Sequence, residues 1–291
     1  MVLPWAWLVL FFLLPFLFVL EISFAEAIIA RPPYRPPFAI TDDGLVIRLS
    51  LFSYRFILGD PLYFHAWLKS LLLAASATLL ALLLGYPMAW SIARTAGRRQ
   101  VILLALVILP FWTSFLLRVY SWKLLLQGNG PLNHLLIALG VIEHPLRILH
   151  SDWAVLLGLV YSYLPFMILP LYAQLQRIDL TLIEAAQDLG ATPPRAFRRV
   201  ILPLSMPGIM AGSMLVFIPA VGEYVIPELL GGPDSTMIGR VLWNEFFANR
   251  DWPMAASLAV LMLVVLIAPL ALFERAFGRL PEADDKGKAS P

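Results

Sequence analysis

The sequence has no cysteine, which excludes a disulfide framework, a thiolate metal site and a cysteine nucleophile. Histidine is nearly as scarce: four residues, scattered, without a second ligand at helical spacing, so no metal site is expected. Charge is the third deficit. Only 14% of residues are charged, the formal net charge is +2, and the basic residues fall in short loops rather than along one stripe, so nucleic acid is not an expected partner. Apolar residues make up 60% of the 291 positions and the mean hydropathy is +0.81, more apolar surface than the interior of a soluble globule of this length can hold. The chain reads as an integral membrane protein.

A spanning helix needs roughly 20 mainly apolar residues. Six stretches qualify: 5–30, 67–93, 101–125, 153–174, 205–226 and 254–273. They are continuous and rich in Leu and Ala, whereas a membrane barrel strand is shorter and alternates, so the expected fold is all-α with six transmembrane helices. Pro15, Pro87, Pro110, Pro165, Pro170, Pro219 and Pro269 each remove a backbone donor inside these runs. Ala25-Glu26-Ala27 resembles a signal-peptidase site, but no Lys or Arg precedes Trp5, and the first run reads as an uncleaved span. Arg94, Arg98 and Arg99 crowd one short loop, Arg177, Arg195, Arg198 and Arg199 lie in the next loop on that side, and Arg275, Arg279, Lys286 and Lys288 flank the C-terminal segment. The positive-inside rule makes that side cytoplasmic, with both termini on it. Short helices are expected within the outer loops near 131–139 and 237–248, an extended connector at 31–37, one membrane domain over 1–280 and a disordered tail at 281–291.

The most specific segment runs from Thr181 to Pro203, TLIEAAQDLGATPPRAFRRVILP. Thr181 and Glu184 fit a capping box, Gly190 a left-handed turn, Thr192 a second cap and Pro193 a first helical position. Two short helices around a turn are predicted. Ala185 and Ala186 leave a small-residue face that another surface can approach, beside the donors of Arg195, Arg198 and Arg199.

Glu184-Ala185-Ala186, then Gly190, then Val200, Leu202 and Pro203 at the matching spacing, closely resembles the EAA loop of permease subunits in ATP-binding-cassette (ABC) importers; Val200 in place of Ile is the one departure. The resemblance extends along the chain through DPLYF (60–64), GYPMAW (85–90), LPFWTSFLLRVYSW (109–122), YLPFMILPLY (163–172) and the segment from Phe217 to Pro253, which look like the polyamine permeases. It implies a type I importer permease with a coupling helix between spans 4 and 5, in which Glu184, Ala185, Ala186 and Gly190 carry the contact to the ATPase. It further implies a bacterial inner-membrane location, a second, different permease, two cytoplasmic ATPase subunits that bind ATP and Mg, a periplasmic polyamine-binding protein, and cargo with putrescine first and spermidine next. The chain itself has no GxxxxGK[ST] loop, so no cofactor is expected on it and no hydrolysis by it alone.

A charged residue within a span is a functional candidate, and Glu223 falls in the outer half of the fifth run. A flexible diamine needs carboxylates for its ammonium groups and aromatic faces for its charge and methylenes. Glu223, Tyr224, Glu228, Trp112 and Tyr161 are the candidates for the substrate pathway. Arg118, expected at similar depth, would repel a polyamine and reads as a gate or scaffold; an ion pair with it is the structural alternative to substrate contact by Glu223. Two alternatives remain open: an ABC permease for another solute, and a stand-alone secondary transporter or channel. The second would need no ATPase and usually shows inverted repeats with broken helices, which are not evident here.

Overall fold

The computed structural model describes residues 2–41 and 44–277; the tail expected at 281–291 lies outside them. The chain opens with α1 (Val2–Leu8), a wide π turn (Val9–Leu13) and α2 (Leu14–Ser23). Two antiparallel hairpins follow, β1 (Glu26–Ala27) with β2 (Tyr34–Arg35) and β3 (Phe38–Thr41) with β4 (Gly44–Ile47). Then come α3 (Phe52–Gly59), α4 (Pro61–Ala93), α5 (Arg98–Ile108), a 3-10 turn (Leu109–Trp112), α6 (Phe115–Leu126), α7 (Pro131–Ala138) and α8 (Asp152–Leu175). The remainder is α9 (Thr181–Asp188), α10 (Pro193–Ala196), a π turn (Phe197–Ile201), α11 (Leu202–Val221), α12 (Val225–Leu230), a 3-10 turn (Pro233–Ser235), α13 (Ile238–Trp243), a π turn (Asn244–Ala248) and α14 (Trp252–Phe277).

The helices begin where the local chemistry allows. Asp60 Oδ1 accepts from the Leu62 N–H at 2.8 Å with Pro61 in the first turn, and Asp251 Oδ1 accepts from Met254 N–H at 2.9 Å. Ser151 Oγ accepts from Ala154 N–H at 3.4 Å to open α8.

α4, α8 and α11 form the core, α4 and α8 running the same way and α11 returning between their far ends. Lys69 pairs with Asp152 where α4 and α8 begin, and Tyr86 meets Ser205 near the opposite end. Their packing follows from side-chain size: Ser70, Ala74, Ala77, Ala81, Gly85 and Ala89 make a buried stripe along α4. α8 and α11 carry similar faces at Ala154, Gly158 and Ser162 and at Ser205, Gly208 and Gly212. Small residues let membrane helices approach closely, since lipid supplies no hydrophobic drive between them. A methyl group on Gly212 would lie 2.8 Å from Met167 Sδ. The outward faces of α1, α2, α4 and α5 stay apolar and exposed. α14 packs against α2, and Ser257 Oγ donates to Ser23 O at 3.0 Å.

Several boundaries differ from those expected. Among the described residues four helices are long and apolar enough to cross a membrane, Pro4–Ser23, Pro61–Ala93, Asp152–Leu175 and Pro193–Val221, against six expected. Arg98–Trp112 and Phe115–Ala138 make a fifth only if counted together, because they are bent by 90°. Trp252–Ile267 is apolar but shorter. The first helix stops at Ser23, where the chain turns into β1, rather than at Ala30. The fifth begins at Pro193, absorbing the second half of the EAA segment, and ends at Val221 rather than Ile226. Proline did not mark these breaks: Pro87, Pro165, Pro170 and Pro219 lie inside continuous helices, whereas the bend at Thr113 and Ser114 follows Pro110. The short helices expected near 131–139 and 237–248 do form, as α7 and as α13 with its π turn.

Candidate functional site

Two polar regions stand at opposite ends of the core. At the end where α4 and α8 finish, residues 176–201 make a helical hairpin. α9 is not opened by the expected capping box: its N-cap position is Leu180, in helical conformation and without a side-chain bond. Asp179 does the capping, its Oδ1 accepting from Thr181 N–H at 3.0 Å, and this bond holds its carboxyl below the ordinary value. Gly190 adopts φ +84° and closes the helix, donating to Gln187 O at 2.8 Å. A side chain there would meet no atom within 4 Å, so the requirement is backbone conformation, not space. Pro193 takes the first turn of α10 as expected, while Thr192 makes no side-chain cap.

No residue of α9 is buried. Glu184, Ala185 and Gly190 are exposed, Ala186 is half-buried, and Leu189 at the tip is 89% exposed. The structure thus gathers the four EAA residues on one protruding element. The hairpin is held by its flanks. Arg94, at the end of α4, donates to Ile178 O at 3.4 Å; Gln174 Nε2 donates to Leu204 O at 2.9 Å; Ala196 and Ile201 are buried.

At the other end, α11 stops and the chain breaks at Gly222-Glu223-Tyr224 before α12. Glu223 is not in a spanning helix. The residue is 9% exposed, and its carboxylate is satisfied within the chain: Oε1 accepts from the N–H groups of Tyr224 at 3.1 Å, Val225 at 2.9 Å and Ile226 at 3.5 Å, and Oε2 accepts from the Tyr163 hydroxyl. Four donors answer one anion, three at the positive end of α12. The alternative considered for Glu223, an ion pair with Arg118, is not formed. Arg118 turns to the bend after α5, donating to Pro110 O and to Thr113 O at 3.0 Å and lying over Phe111 and Phe115. There its donors meet carbonyls that the broken helix leaves free.

The other candidates do not converge on one point. Glu228 pairs with Arg240 at 2.6 Å. Tyr224 stacks on Trp243, with ring centroids 4.3 Å apart, and burial, then the Glu228 carboxylate, raise its phenol above the ordinary value. Tyr161 meets Trp122 edge-on at 5.3 Å. Trp112, at the 90° bend, is 85% exposed. Glu228 and Arg240 also line an open cavity of about 700 Å³ with His150, Asn244, Glu245 and Asn249. Among the described residues no group of three or more His, Cys, Asp or Glu side chains is placed to hold a metal ion. Asp179, Leu189 and Tyr163 were not singled out from sequence, and Arg94 was read there only as a loop charge; only the Asp two residues before Thr181 carried a local signal, as a capping side chain.

A family model described as binding-protein-dependent transport system inner membrane component matches residues 1–279. The spermidine/putrescine transport system permease protein PotB of Escherichia coli is 42% identical over 272 residues, covering 93% of this chain and 94% of that one. Among solved structures, a bacterial ABC transporter that imports the acidic polysaccharide alginate superposes with a TM-score of 0.66 at 17% identity, over 96% of this chain and 93% of that chain. The inward-facing MetNI methionine ABC transporter superposes at 0.55 and 16% identity, over 73% and 93%. At such identities the superpositions speak for the fold alone.

Proposed function

The chain belongs to the binding-protein-dependent transport system inner membrane components, and from that membership we propose that it is the permease subunit of an ABC importer for polyamines, putrescine first and spermidine next. As a member it is a transport component, not an enzyme. The observation that carries the substrate class is the identity to PotB of 42% across 93% of the chain.

In this reading the chain spans the inner membrane six times, with α5 and α6 as a broken third span, α14 as the sixth, and both termini in the cytoplasm. A second, different permease completes the pathway, two ATPase subunits that bind ATP and Mg sit beneath, and a periplasmic binding protein delivers cargo. Glu184, Ala185, Ala186 and Gly190 form the ATPase contact, to which the exposed Leu189 adds an apolar anchor. Closure of the ATPase pair on ATP pushes α9, the pathway opens outward to receive substrate, and hydrolysis returns it inward.

On the substrate side Trp112 is the strongest candidate for a cation, because its ring is free. Tyr224, Tyr161 and Glu228 have partners to give up first, and Glu223 positions α12 rather than meeting cargo.

The test has two steps. The tagged chain is purified from native membranes in mild detergent and its companions are identified by mass spectrometry; an ATPase and a second permease are expected, and a chain that purifies alone yet moves solute alone would make a secondary transporter or channel the better reading. Labelled putrescine uptake with competing spermidine and unrelated solutes then addresses cargo; no competition by either polyamine would keep the importer and discard its substrate.

A further inference from the structure

We infer that the last turns of α4, through Tyr86, Trp90 and Arg94, are the clasp that turns movement of the coupling loop into movement of the helical core, with Arg94 as the positioning residue. This rests on the coupling role proposed above for α9. α9 buries none of its residues and among them only Ile183, half-buried, packs against the core, so force on it reaches the core largely through the segments at its two ends. α4 grips both. On the outgoing side Arg94 donates to Ile178 O, and its guanidinium lies 4.3 Å from the Trp90 ring centroid. On the returning side the Tyr86 hydroxyl meets Ser205 Oγ at 3.1 Å, and the Tyr86 ring stands edge-on to Phe197 at 5.6 Å. Phe197 opens the π turn Phe197–Ile201, and such single turns are places where a helix can be rewound by one residue.

The second observation concerns Arg94 itself. Its Nε and Nη2 are buried and have no acceptor among the described residues. Buried guanidinium donors require acceptors, and the C-terminal end of α8 beside Ile178 offers helix-end carbonyls of matching polarity. A small shift of residues 176–180 would bring one of them to Arg94. With that shift the clasp would gain a second, more fully bonded arrangement beside the observed one that holds only Ile178 O, as a transmitting element requires. Arginine suits this position better than lysine, since only a planar fork stacks on Trp90 and donates in several directions at once.

The test uses the complete importer with its ATPase subunits and the putrescine-loaded binding protein, comparing Arg94→Gln, Arg94→Lys, Tyr86→Phe and Gly190→Asp. For Arg94→Gln the expected result is full retention of the ATPase subunits, putrescine uptake lowered at least tenfold, and ATP hydrolysis that no longer rises with loaded binding protein. Arg94→Lys should recover less than half of the uptake. Tyr86→Phe, which keeps the ring contact and loses the bond to Ser205, should lower uptake two- to fivefold with hydrolysis intact. Arg94→Gln within twofold of the parent in uptake, or uptake, hydrolysis and subunit retention all falling in parallel, would overturn the clasp. If Arg94→Gln cannot be assembled, Tyr86→Phe decides, and unchanged uptake overturns it. The two readings fail separately: a fully active Gly190→Asp would remove the coupling role and the clasp with it, whereas failure of the arginine variants alone removes only the clasp.

Discussion

α9 and α12 are both short helices with a glutamate at or near their start, and they are treated in opposite ways. The Glu223 carboxylate is spent inside the chain on Tyr163 and on three N–H groups at the start of α12, and Ile226 and Leu230 of that helix are fully buried over Gly158. Glu184 of α9 is exposed and forms no side-chain hydrogen bond among the described residues, and nothing on that helix is buried. Neighbours repeat the contrast. Near α12, Asp152 takes both Lys69 and Ser235, and Ser70 Oγ accepts from Ile238 N–H at 2.7 Å. Around α9 the guanidinium groups of Arg195, Arg198 and Arg199 are exposed, and Leu189 stands in the open. One end is finished by its own chain. The other is left open by its own chain, which is what the proposed ATPase contact needs.

The largest effect is expected where the self-sufficient end is cut. Glu223→Ala leaves three N–H groups and one hydroxyl without their acceptor in a nearly buried site. Bonds to a charged acceptor contribute about 1.5–3 kcal/mol each and do not add fully, so a loss of about 3–5 kcal/mol is expected. Thermal unfolding of the purified complex measures it; an unchanged midpoint would show that α12 is held by packing alone. The next effect lies at the other end and should have the opposite signature. Leu189→Asp is expected to leave the thermal midpoint alone and to weaken retention of the ATPase subunits at least tenfold, about 1.4 kcal/mol or more of binding. Loss of the fold instead would mean that the exposed tip serves this chain and not a partner.

The contrast between the two ends was only half visible in the sequence. The apolar runs were legible because the bilayer asks for about 20 residues at a stretch. The EAA residues were legible because their spacing is local, and Gly190 announced its positive φ. Breaks were not, since Gly222 and the Thr113-Ser114 pair look no different from glycines and hydroxyl residues that helices in lipid tolerate. The role of Glu223 was hidden for another reason: Tyr163 lies 60 residues away along the chain. A carboxylate in an apolar stretch signals function or a partner, and which it is depends on a contact that no local pattern encodes. The stripe from Ser70 to Ala89, at intervals of three and four, was open to reading as a helix contact face.

Glu223→Gln sharpens the comparison more gently. The amide oxygen can keep the three backbone donors while its nitrogen turns to Tyr163, whose hydroxyl then accepts. A change within about 1 kcal/mol in stability is expected, with uptake within threefold of the parent. A folded, fully assembled Glu223→Gln complex that no longer takes up putrescine would return the carboxylate charge to the substrate pathway.

The smallest effect belongs to the cap of α9. Asp179 is fully exposed and its side chain ties down the helix start at Thr181, so Asp179→Ala should loosen α9 without touching the core. Amide hydrogen exchange would report it as faster exchange confined to the first turn, Thr181 to Glu184, with the amides of α8 and α11 unmoved. The pH dependence follows from the same bond. Because the folded carboxyl lies below its ordinary value of 3.8, the stabilisation it gives is fully present above 3.8 and is lost as the pH falls through the lowered value. Near neutral pH the parent is therefore insensitive to pH at this helix, and on acidification below about 3.8 its first-turn exchange, corrected for the intrinsic pH dependence, should approach that of Asp179→Ala. If the parent and the variant differ by the same factor at every pH, the cap acts through its shape and not its charge. If exchange quickens throughout α8 as well, α9 is coupled to the core more tightly than the contrast between the two ends allows.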